Sequence, residues 1–135
     1  MAEEMVKNPA TTVDTKVYPS GDGVKLSMTD MLAYFERQGA LRVSDLHIKV
    51  GALPAYRIDG NLIKMKGAVI TRELAEQLIF PLIGPKMVEQ YKKTFNVDCS
   101  YRFGRLQFRI NVFRENDGMS AAIRALGLDI PQPDN

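Results

Sequence analysis

The chain has 135 residues, 45% of them apolar and 25% charged, with a net charge of +2 and a pI of about 8.7. That is one globular domain, long enough to bury roughly two thirds of its unfolded surface without a metal or disulfide staple. It excludes a disordered or fibrous protein, and the charge is too mild for the concentrated basic field of a nucleic-acid binder.

Residues 1–26 hold Asn8-Pro9, Pro19-Ser20 and Gly21-Asp22-Gly23, with apolar residues in no helical or strand period. They read as a flexible N-terminal tail. The domain proper is expected at 27–127. A helix opens it, with Ser27 as cap, Asp30 at N3, an apolar face of Met31, Leu32 and Phe35, and Gly39 as its stop. Leu46, Ile48 and Val50 then alternate with Asp45, His47 and Lys49, the pattern of a half-buried strand. Ala55–Ile58 and Asn61–Met65 read as a hairpin joined at Asp59-Gly60. Two helices follow, one capped by Thr71 and one opened by Gly84-Pro85. The chain returns to period two over Val97–Phe103 and, most clearly, where Leu106, Phe108, Ile110 and Val112 alternate with Arg105, Gln107, Arg109 and Asn111. Asn116-Asp117-Gly118 turns it into a last strand from Met119 to Leu126. Residues 128–135, with two prolines, read as the start of a linker to a following, absent domain. Short connections imply antiparallel neighbours, so the expected fold class is α+β, an antiparallel sheet with helices packed on one face.

The chemistry on offer is narrow. The chain has no G-x-x-x-x-G-K-[ST] and no G-x-G-x-x-G, and one His with one Cys makes no metal constellation. A lone cysteine allows no intrachain disulfide and fits a reducing, cytoplasmic compartment. No apolar run reaches the ~18 residues of a membrane span, and MAEEMVKNPATT lacks the apolar segment of a secretory signal. Cys99 falls on the apolar side of its strand and His47 on the polar side of another, which argues against a Cys–His nucleophile and for core packing of Cys99. His47 beside Asp45 is either a general base held by a carboxylate or, more simply, a strand-surface histidine. Asp59 is explained by its turn. Arg102, Arg105, Arg109, Arg114 and Arg124 crowd one three-strand stretch whose only nearby acids are Glu115 and Asp117. The group suits either an anion or acidic partner or a solvated, edge-protecting sheet face.

Ser44-Asp45-Leu46-His47, then Pro54-Ala55-Tyr56-Arg57-Ile58-Asp59-Gly60, Phe108-Arg109-Ile110-Asn111-Val112-Phe113 and Ala121-Ala122-Ile123-Arg124 together resemble one family. It is the N-terminal, PAS-like domain of the PilT-like type IV pilus retraction ATPases, in the type II/IV secretion ATPase superfamily. The resemblance runs from about Ser27 to Leu126. Two departures stand out: Leu41-Arg42-Val43 is inserted between Gly39-Ala40 and Ser44, and the leading tail is longer than the family's. The resemblance implies a non-catalytic module followed by a RecA-like motor domain that binds ATP and Mg. It implies a homohexamer at the cytoplasmic face of the inner membrane, beside the pilus platform, driving retraction and twitching motility. It implies interface or nucleotide-proximal roles for Arg57, Arg109 and Arg124, and structural or interface roles for Asp45, His47, Asp59, Gly60 and Asn111. No catalytic residue and no cofactor is expected in the chain itself. The alternatives are the corresponding domain of a pilus assembly or type II secretion ATPase, or a free-standing PAS-like sensor or adaptor. The sensor would need an apolar pocket, which nothing in the sequence marks. No nucleic acid and no direct membrane span are expected.

Overall fold

The computed structural model describes residues 11–38 and 42–128. Residues 1–10 of the tail, the helix stop at Gly39 with Ala40 and Leu41, and residues 129–135 lie outside the described residues.

The first helix, α1 (Met28–Arg37), starts where its chemistry says it should. The Asp30 amide donates to Ser27 Oγ at 3.0 Å, and the Ser27 amide donates to Asp30 Oδ2 at 2.8 Å, a reciprocal capping box. Met28, Met31, Leu32 and Phe35 are buried along one stripe. The second helix, α2 (Arg72–Thr94), is two limbs, as Gly84-Pro85 predicts. Thr71 caps the first limb, accepting from the Leu74 amide at 3.1 Å. Gly84 breaks the helix with φ 88° and ψ 162°, a conformation that suits glycine, and Pro85 starts the second limb without needing a helical donor.

Between and after the helices lie β3 (Val43–Lys49), β4 (Ala55–Ile58), β5 (Asn61–Lys64), β6 (Asn96–Phe103), β7 (Leu106–Glu115) and β8 (Gly118–Leu128). They form one antiparallel sheet in the order β5-β4-β3-β8-β7-β6. Asp59 and Gly60 both take positive φ, 49° and 85°, which is the hairpin geometry that matches strand twist. Asn116 and Asp117 turn β7 into β8 in the same way, at 52° and 64°. Strand β8 then runs back between β7 and β3, tying the two halves of the chain together.

The core lies on one face of this sheet. Leu46, Ile48, Phe108, Ile110, Val112 and Ile123 are no more than 1% exposed and pack with the stripes of α1 and α2. A bulge between Val43 and Asp45 lets Val43 join that core while Asp45, two residues on, faces the other way. The fold class is therefore α+β, an antiparallel sheet with its helices on one face.

Residues 13–26 differ from the flexible tail that their sequence suggests. β1 (Tyr18–Pro19) and β2 (Lys25–Leu26) form a small hairpin built into the domain. Tyr18 is 0% exposed, and its hydroxyl donates to the Ala68 carbonyl at 2.8 Å. The Thr29 amide donates to the Val13 carbonyl, and its hydroxyl to Asp14 Oδ1 at 2.6 Å, fastening the segment to α1. At Gly67 the hairpin comes so close that a Cβ would sit 2.6 Å from the Pro19 carbonyl oxygen. One buried ring and a two-residue ladder leave no periodicity for a sequence reading to detect.

Candidate functional site

The outer face of the sheet collects most of the residues singled out from the sequence. Register does this. Arg57 on β4 is opposite Asp45 on β3, Asp45 is opposite Arg124 on β8, Arg124 is opposite Arg109 on β7, and Arg109 is opposite Ser100 on β6. Residues directly opposite share a face, so Arg57, Asp45, Arg124 and Arg109 form one transverse row. The adjacent row runs Ala55, His47, Ala122, Asn111, Asp98.

Asp45 anchors the first row. It is 3% exposed, accepts from Ser44 Oγ at 2.6 Å and pairs with Arg124 Nε at 3.2 Å. Burial pushes its carboxyl up, but the Ser44 and Arg124 hydrogen bonds and the neighbouring positive charge outweigh that, and the group stays below the usual aspartate value. Arg124 covers it while leaving its own side chain 68% exposed. Arg109 is 67% exposed and only loosely paired, with Asp98 Oδ1 3.9 Å from its Nε. Two guanidinium side chains thus lie directly opposite each other on β7 and β8. Like charges so placed destabilise an isolated sheet, and an anion between them removes the penalty.

His47 is half-buried between Ala55 and Ala122, and its imidazole makes no hydrogen bond among the described residues. Burial lowers its pKa; Arg57 and Arg124 add to that and Asp45 opposes it. Asp45 acts on His47 through charge, its own hydrogen bonds going to Ser44 and Arg124. Asn111 spends its amide on the Asn96 side chain at 3.0 Å and the Val97 carbonyl at 3.1 Å, bracing the β6 edge.

Asp59 and Gly60 are not on this face but at the tip of the β4–β5 hairpin. Asp59 binds the Arg42 guanidinium at 2.8 Å, which holds its carboxyl low, and Gly60 offers its carbonyl to Arg57 Nη1 at 3.1 Å. The arginine cluster read from β6–β8 also divides. Arg114 stacks on Phe95 at 4.6 Å and pairs with Asp117, away from Arg109 and Arg124. Of the acids paired with the row, Asp45 comes from β3, which the sequence reading did not connect to it, and Asp98 from β6, inside the arginine stretch but not counted among its acids there. Cys99 is half-buried against the core, and burial pushes its thiol up. A groove of about 900 Å³ beside α1, unmarked in the sequence, lies between the β1–β2 hairpin and β4–β5.

In sequence and in fold the chain is similar to the N-terminal regions of PilT-like secretion ATPases. More particularly, it is 28% identical over 102 residues to the type IV pilus retraction ATPase PilT of Pseudomonas aeruginosa, covering 75% of this chain and 29% of that protein. A crystal structure of the pilus retraction motor PilT with bound ADP matches with a TM-score of 0.65 at 29% identity, over 80% of this chain and 31% of the other. The Legionella pneumophila ATPase DotB shares the fold, with a TM-score of 0.60 at 23% identity over 78% of this chain and 28% of its own. The chain therefore spans less than a third of each of these relatives. No protein-family model matches it.

Proposed function

We propose that the chain is the N-terminal module of a pilus retraction ATPase, and that its outer sheet face closes on the nucleotide cleft of a RecA-like motor domain. The carrying observation is the opposed pair Arg109 and Arg124, each about two thirds exposed, on a face turned away from the core. In this reading the pair approaches a phosphate held by the motor domain, where guanidinium charge stabilises the developing negative charge. Asp45 fixes Arg124 and stands between it and Arg57, and Arg57 belongs to the subunit interface. ATP and Mg are bound by the motor domain and not by this chain. The assembly is a homohexamer at the cytoplasmic face of the inner membrane, working against the pilus platform. Similarity in both sequence and fold to a retraction motor supports this over the assembly and secretion relatives. Among the described residues no helix is long and apolar enough to cross a membrane.

The test starts with the gene. The reading frame continuing past the Asn135 codon should meet a G-x-x-x-x-G-K-[ST] segment. In that full-length protein, Arg124→Ala should lower ATPase turnover by roughly a hundredfold or more, with the oligomer intact by light scattering. Undiminished turnover in both the Arg109→Ala and Arg124→Ala proteins would overturn the proposal.

A further inference from the structure

Strand β5 is an open edge of the sheet. Among the described residues it pairs only with β4, and all four of its residues are exposed, among them Leu62 at 50% and Ile63 at 49%. Proteins seldom leave two large aliphatics on an unpaired edge, because the free backbone groups recruit a further strand. The edge has a definite end. The Gly21 amide donates to the Lys66 carbonyl at 3.1 Å and the Ala68 amide to the Pro19 carbonyl at 3.0 Å, so the β1–β2 hairpin closes off the chain beyond β5.

The groove lies between that hairpin, α1 and the edge. Ile63 shares a face with Tyr56, its partner across the β4–β5 ladder. Tyr34 packs on Tyr56 with ring centroids 4.5 Å apart, giving the groove an apolar, aromatic wall. Its rim is basic: five cationic side chains line it against two carboxylates, and one of those, Asp30, is already paired with Lys16. Lys25, Lys64 and Lys66 are exposed on that rim, and the Arg37 guanidinium lies over the Tyr34 ring, 5.6 Å from its centroid.

We infer that this edge and groove form a docking site for an extended, acidic segment of a partner protein. The segment adds to β5 as a further strand, places one large apolar side chain against Ile63 and Tyr56, and sets its carboxylates against Lys25, Lys64 and Lys66. Main-chain hydrogen bonds supply affinity in such a mode, while the groove and the rim charges select the sequence. The site uses the hairpin, α1 and β5, and does not depend on the arginine row or on any motor domain.

Random heptapeptides displayed on phage should be panned against the intact chain. Recovered peptides should alternate aliphatic or aromatic residues with Asp or Glu. A synthetic copy of the leading peptide, followed by fluorescence polarisation, should lose about tenfold or more in affinity to the K64E/K66E chain. It should also lose affinity to I63T, which keeps a strand-forming residue at an exposed position. All variants should melt within a few degrees of the parent chain. Recovery of no common class, recovery of basic or neutral peptides, or undiminished binding by K64E/K66E would overturn the inference. So would concentration-dependent self-association abolished by I63T, which would make a second copy the occupant. Binding that appears only after deletion of residues 2–10 would do the same, assigning the groove to the chain's own N-terminal segment.

Discussion

Strand β7 has two faces one residue out of step, and they obey different rules. Leu106, Phe108, Ile110 and Val112 are at most 2% exposed, whereas Arg109 between them is 67% exposed at its side chain. Each buried side chain of the first set stabilises the fold by roughly 1.5–3 kcal/mol through the water it sheds. An exposed ion pair such as Arg109–Asp98 contributes about 0–1 kcal/mol. The helix-covered face therefore carries stability, and the outer face is free to carry charge in arrangements that an isolated sheet would not favour.

The sharpest way to break that contrast is to truncate neighbours on β7. Phe108→Ala should cost about 3–5 kcal/mol, read as a lower denaturant midpoint at constant slope, while Arg109→Ala stays within about 0.5 kcal/mol. Equal costs would mean that the outer face is structural after all.

The hairpin supplies the next test, because it belongs to the core side despite its tail-like sequence. Tyr18→Ala should cost about 3 kcal/mol and Tyr18→Phe about 1 kcal/mol, the difference separating ring burial from the hydroxyl bond to Ala68. A negligible Tyr18→Ala effect in thermal melts would return residues 13–26 to the status of a loose tail.

Asp45 is the point where the outer face borrows from the buried one. Asp45→Asn should destabilise by about 1 kcal/mol, and adding Arg124→Gln should recover part of the loss, giving a measurable coupling in a double-mutant cycle. The cost of Asp45→Asn alone stays modest because Arg124 is largely solvated.

Acid titration separates the same groups without mutation. The folded pKa of His47 lies below its ordinary 6.5, and that of Asp45 below its ordinary 3.8. In both cases the unfolded chain takes up the proton first, so the stabilisation is complete above each ordinary value and lost as pH falls through the folded one. Stability should decline below pH 6.5, with His47→Gln flattening the upper part of that decline and Asp45→Asn the part below 3.8. Stability rising on acidification through 6.5 would contradict the depressed imidazole.

The smallest effect is the most specific to function. Arg109→Gln relieves the like-charge pair with Arg124 and should stabilise the chain by a few tenths of a kcal/mol in low salt, the gain shrinking as salt is added.

Much of this was legible along the chain. The strong alternation over Leu106–Val112, the Ser27 and Thr71 caps, the break at Gly84-Pro85 and the Asp59-Gly60 turn are local signals, and each resolves as local physics dictates. The outward side of Asp45, His47, Arg109 and Asn111 was legible from the same period, while that of Arg57 and Arg124 came with the ladders. Their spatial order was not legible, because Asp45 and Arg124 are 79 residues apart and meet only through the β3–β8 ladder. The place of Asp59 and Gly60 at a turn, apart from the row, follows from the hairpin signal the sequence already carries.

Local patterning, by itself, determined the element types, the turn chemistry and which residues of each strand seek water, since these depend on side-chain period and backbone propensity over a few neighbours. Tertiary structure alone decided that β8 inserts between β3 and β7, that Tyr18 draws residues 13–26 into the domain, and that β5 is left as an edge beside a basic groove. Those outcomes rest on pairing between distant segments, where closing the loop and burying the shared face are settled together.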